Sequence, residues 1–77
     1  MKRDTYLITY GDGKQAKAYA WNSALRKVER LMREIARAEG CFYNLCGKGR
    51  NAEHTEGFRT WSNGLNAVTF NIKKVQS

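Results

Sequence analysis

The chain has 77 residues, 42% of them hydrophobic, with two Trp, four Tyr and three Phe, which is enough for one small core and too much for a disordered segment. Fourteen Lys and Arg against seven Asp and Glu leave a formal charge of +7, an excess that attracts nucleic acid, acidic protein faces or anionic lipid whatever the fold. No run approaches the roughly 18 apolar residues needed to span a bilayer, and Tyr6-Leu7-Ile8, following Lys2, Arg3 and Asp4, is too short for a secretion signal. The expectation is a soluble, cytoplasmic protein with a single domain over residues 1–77.

In chain order, Thr5 to Tyr10 is β-branched and aromatic and predicts a strand, followed by turn residues Gly11-Asp12-Gly13. From Gln15 to Trp21 the sequence alternates, with Ala16, Ala18 and Ala20 on one side and Gln15, Lys17, Tyr19 and Trp21 on the other. Alternation across a D-G turn predicts a β-hairpin, and the alanine side suits close packing under a helix. Asn22 or Ser23 is placed to cap that helix, which runs to about Glu39 and stops at Gly40, a C′ residue able to take the left-handed conformation.

Cys41 to Cys46 then reads as a third strand, and the polar, glycine-bounded stretch Gly47 to Gly57 as a loop. Phe58 to Trp61 and Leu65 to Val75 flank Ser62-Asn63-Gly64, a strong hairpin signal. In the last strand Val68, Phe70 and Ile72 alternate with Ala67, Thr69, Asn71 and Lys73, one face buried and one wetter. The predicted fold is α+β, a small two-layer sandwich: an antiparallel sheet of four to five strands, ordered β-hairpin, one long helix, then two to three strands, with the helix on one face.

The most informative residues are Arg26, Arg30, Arg33 and Arg37, at i, i+4, i+7 and i+11 of the predicted helix. At about 100° per residue they share one stripe opposite Ala24, Leu25, Val28, Leu31, Met32 and Ile35. Arg26–Arg30 and Arg33–Arg37 are like pairs that repel by a few tenths of a kcal/mol, a cost that an acidic partner would offset. The row covers about 16 Å of helix axis, room for two or three phosphates. Lys27 lies beside it, and Glu29 with Arg33 and Arg30 with Glu34 are expected to pair and neutralise part of the charge.

Gly47-Lys48-Gly49-Arg50 is a second candidate, a loop whose backbone N–H groups and two cations suit a phosphate oxygen; its spacing is not that of a Walker A loop. Arg59 adds a cation beside Trp61. Tyr19, Trp21, Tyr43 and Trp61 would form a base-stacking platform if they stood on the sheet face away from the helix.

Other chemistry finds little support. Cys41, Cys46 and His54 are too few for a structural zinc site, and two cysteines five apart on one strand point to opposite faces, so reduced thiols are expected. His54 lies between Glu53 and Glu56, without the nucleophile or metal constellation a catalyst needs. No enzymatic activity, cofactor or metal is expected. The sequence thus points to a small basic nucleic-acid-binding domain, largely sequence-independent, using Arg26, Lys27, Arg30, Arg33, Arg37, Lys48, Arg50 and Arg59. The alternative is a compact inhibitor or adaptor of the type phages and mobile elements carry, anti-CRISPR proteins included, docking the same basic residues on an acidic surface or a nucleic-acid-related site of a host protein complex.

Overall fold

The computed structural model describes residues 4–76; the N-terminal cations Lys2 and Arg3 lie outside them. The elements are β1 (Asp4–Tyr10), β2 (Lys14–Ala18), α1 (Trp21–Glu39), β3 (Asn44–Arg50), β4 (Glu56–Ser62) and β5 (Ala67–Gln76). All five strands join one antiparallel sheet in the order β2-β1-β5-β4-β3. The α+β sandwich, the first hairpin, the single helix on one sheet face and the alternation of the last strand are as the sequence predicts.

The core is the seam between α1 and the sheet. Ala24, Val28 and Met32 are buried along the helix, and Tyr6, Ile8, Ala18, Trp61, Phe70 and Ile72 are buried beneath it. Ala18 and Ala16 lie opposite Tyr6 and Ile8 in the β1–β2 register, so the small alanine face of β2 admits the helix closely. Phe70, fully buried, holds the centre: Tyr10 stacks on it at 4.8 Å and Trp61 meets it edge-on at 5.6 Å. The far face of the sheet pairs Leu7 with Lys17 and Lys73, Thr9 with Asn71, and Thr60 with Thr69, whose hydroxyls are 3.0 Å apart. That composition suits a face turned to water. Gly40 ends the helix at φ 69°, a left-handed conformation that costs a glycine little, and its N–H reaches back to the last turn.

Three boundaries differ from expectation. The helix begins at Trp21, with Ala20 in extended conformation before it and no side-chain cap, so neither Asn22 nor Ser23 serves as N-cap. Trp21 extends the apolar stripe of Leu25 and Val28 by one turn, and burying its ring from the helix outweighs continuing β2. The third strand is Asn44–Arg50 rather than Cys41–Cys46, which makes Gly47-Lys48-Gly49-Arg50 a strand and shortens the loop to residues 51–55. Phe58 supplies the reason. It pairs with Gly49, and a Cβ added at Gly49 would stand 2.7 Å from its ring, so the aromatic covers glycines that strand pairing would otherwise leave bare. Lastly, the β4–β5 hairpin closes over residues 63–66. The Asn63 side chain accepts from the N–H groups of Leu65 and Asn66, a wider turn than a two-residue Asn-Gly.

Truncating Phe70 removes the ring that both Tyr10 and Trp61 rest on. Phe70→Ala is expected to cost about 3–5 kcal/mol, measured by urea unfolding, whereas Leu65→Ala, at a side chain 91% exposed, should stay within about 0.5 kcal/mol.

Candidate functional site

With Ala24, Val28 and Met32 committed to the core, Arg26, Arg30, Arg33 and Arg37 are carried to the opposite side of α1, and all four are exposed. Among the described residues none of them has a carboxylate within ion-pair distance, and the salt bridge is Lys74–Asp4, at 3.4 Å. The expected Glu29–Arg33 and Arg30–Glu34 pairs are not made; a surface pair is worth only a few tenths of a kcal/mol, too little to fix two long exposed side chains in one geometry. Arg37 stands in the last turn, where the helix dipole favours a cation, but the first turn has no acidic residue to offset Arg26. Lys27 leaves the row: it is half-buried and donates from Nζ to the Lys17 carbonyl on the outer edge of β2, 2.9 Å away.

A second cationic surface forms where the helix stops covering the sheet. Lys48 pairs directly with Arg59 across β3 and β4, and Arg50 with Gly57, so these side chains share the sheet face on which α1 lies. They line a cleft of about 520 Å³ together with Trp21, Leu25, Phe58, Ile72 and Gly49. Among the described residues its lining includes no carboxylate. Like charges directly opposite in an antiparallel pair are destabilising, so Lys48–Arg59 repeats in the sheet what Arg26–Arg30 does on the helix. The phosphate-wrapping loop expected from Gly47 to Arg50 is not formed: these residues pair with β4 as a strand, and alternation puts the glycines on one face and the cations on the other.

Trp21 forms one wall of this cleft. Its ring meets Tyr6 at 5.9 Å and His54 at 5.7 Å, both at steep angles, so neither ring is stacked parallel to it. A Cβ on Gly57 would come within 2.8 Å of the Trp21 ring and 2.7 Å of the Gly49 carbonyl. Gly57 is therefore the vacancy that lets the indole sit against the strand. His54 has φ 57°, in a loop tied by Asn51, whose Oδ1 accepts from the N–H groups of Thr55 and Glu56.

The expected stacking platform on the far face is not built. Trp61 is buried on the helix side, Trp21 belongs to the helix and Tyr19 is exposed in the connection before it. Phe58 is the aromatic on that face. Cys41 and Cys46 are exposed free thiols, Cys41 lying before β3 rather than on the same strand. Among the described residues no three His, Cys, Asp or Glu side chains gather as metal ligands, and no helix is long and apolar enough to cross a membrane.

A third feature was not read from the sequence. Phe42, 94% exposed, borders a shallow groove with Tyr43, Leu45, Met32, Arg33 and Trp61. The Tyr43 hydroxyl donates to Glu39 Oε1 at 2.5 Å, tying the chain after the helix back to its last turn. Comparison with protein-family models, curated proteins and solved structures finds no match to this chain.

The Glu39 carboxylate holds the Tyr43 phenolic proton and pushes its pKa up from 10.0 to about 12. The folded state binds this proton more tightly than the unfolded one, so the bond's contribution is complete below pH 10 and is lost as pH rises through about 12. A tyrosinate absorbance titration should show one phenol ionising near that upper value, and Glu39→Ala should return it to the ordinary tyrosine range.

Proposed function

We propose that this protein binds nucleic acid through its phosphate backbone, with Arg26, Arg30, Arg33 and Arg37 as the principal contact and Lys48, Arg50 and Arg59 as a second one. The observation that carries this reading is the absence, among the described residues, of any ion pair to the row or to the strand cations. In both places the chain sets like charges side by side at a local cost. A polyanion recovers that cost by taking the place of the missing carboxylates. Guanidinium groups fork onto phosphate oxygens, and about 16 Å of helix matches a short stretch of backbone. Contacts of this kind position a protein on the polymer without reading bases, so binding is largely independent of sequence.

A second reading, docking on an acidic protein surface, is favoured by Phe42. An aromatic this exposed beside an apolar groove and Arg33 has the character of a protein-interface anchor.

Replacing Arg30 and Arg33 together by alanine is expected to weaken binding to generic DNA and RNA and to flatten the salt dependence of log K by about two units. Unchanged affinity and slope would remove the row as the contact surface. In nuclease-treated lysate, a stoichiometric protein partner lost on Phe42→Ser but retained on Arg30→Ala/Arg33→Ala would favour the second reading.

A further inference from the structure

The cleft between the first turn of α1 and the β3–β4 end of the sheet differs in kind from the arginine row. The row is purely cationic and lies on a convex helix face. The cleft sets three cations, Lys48, Arg50 and Arg59, around apolar walls formed by Trp21, Leu25 and Ile72. Of the three, Arg50 has a long contact to the Asn51 carbonyl, at 3.5 Å, while Lys48 and Arg59 have no hydrogen-bond or ion-pair partner among the described residues. Phosphate alone needs no apolar wall, and an apolar ligand alone would cover three cations without answering their charge. The ligand that meets both demands is an anion joined to a flat ring.

We propose that this cleft holds an unpaired nucleotide of a single-stranded nucleic acid, its base against Trp21 and Leu25 and its phosphates on Lys48, Arg50 and Arg59. This deepens the nucleic-acid reading above and rests on it. A paired base cannot reach the indole, since in a duplex its faces are covered by its neighbours. A base in a single strand is free to splay out and stack on an aromatic side chain. The cleft volume of about 520 Å³ lies within the ~300–1,000 Å³ range of sites that take small ligands. Trp21 has no parallel ring already lying on it, and Gly57 leaves room for the indole to stand at the cleft wall. Helix row and cleft then divide the work: the row holds backbone of any form, and the cleft selects for strands with an exposed base.

The test compares oligothymidylate with a duplex of equal length by fluorescence anisotropy, using wild-type protein, Trp21→Leu, Arg59→Gln and Arg30→Ala/Arg33→Ala. Trp21→Leu is expected to lower single-strand affinity by about 5- to 140-fold, the range that one lost base stack produces. Arg59→Gln, which removes the charge but keeps a polar side chain at this half-buried position opposite Phe70, should lower it at least about fivefold more than it lowers duplex affinity; it keeps the test decisive should Trp21→Leu unfold, as circular dichroism would show. Equal losses on both nucleic acids, or no loss from Arg59→Gln while Arg30→Ala/Arg33→Ala still weakens binding, would overturn the cleft assignment and leave the backbone-binding reading standing. Failure of the wild-type protein to bind either nucleic acid would remove both.

Discussion

One helix cannot cover five strands. An α-helix with its side chains is about 10 Å across, whereas five strands spaced about 4.8 Å apart place the outer two nearly 20 Å from each other. In this protein the helix sits over β1 and β2, with Phe70 and Ile72 of β5 beneath its inner edge. The alanines of β2 draw it to that side, because only small residues let helix and sheet backbones approach so closely. The helix-facing side of β3, where Leu45, Lys48 and Arg50 are exposed, is left uncovered. The cations of the cleft stand on that bare surface, and the same seat turns the arginine row to solvent.

Electrostatics follows from this placement. Arg26–Arg30, Arg33–Arg37 and Lys48–Arg59 are each like-charged neighbours in regular structure, where opposite charges would be stabilising. The acidic residues that could relieve them are spent elsewhere or stand apart: Asp4 pairs with Lys74 and Glu39 accepts from Tyr43. A core of nine buried residues among those described gives a small domain little stability in reserve. Its tolerance of uncompensated charge is the physical ground for proposing an anionic partner, and the apolar walls of the cleft are the ground for proposing that this partner brings a base as well as phosphate.

Much of this was legible from residue pattern, and the misreadings have definite causes. The helical stripe located Ala24, Val28 and Met32 in the core and the four arginines outside it, because a helix's period fixes which residues share a face. Trp21 continues the preceding alternation and also stands four residues before Leu25 and seven before Val28; two periods overlap there, and packing on Tyr6 and Gly57 decides between them. Gly47 and Gly49 read as loop residues because glycine is poor in strands. Their alternation with Lys48 and Arg50 was the strand signal, and Phe58 across the ladder is what makes it tolerable.

Local sequence determined the elements that depend on neighbours a few residues apart: the first hairpin, the polarity of the helix, its stop at Gly40 and the exposed arginine row. Tertiary structure alone decided what depends on residues far apart in the chain. Strand order places β5 between β1 and β4, and the β3–β4 register sets Lys48 against Arg59. The seat of the helix then brings Trp21 to those cations across more than twenty positions of sequence. Periodicity carries face and phase within one element, but the register between elements comes from side chains meeting across the sheet, and no pattern within a single segment encodes it.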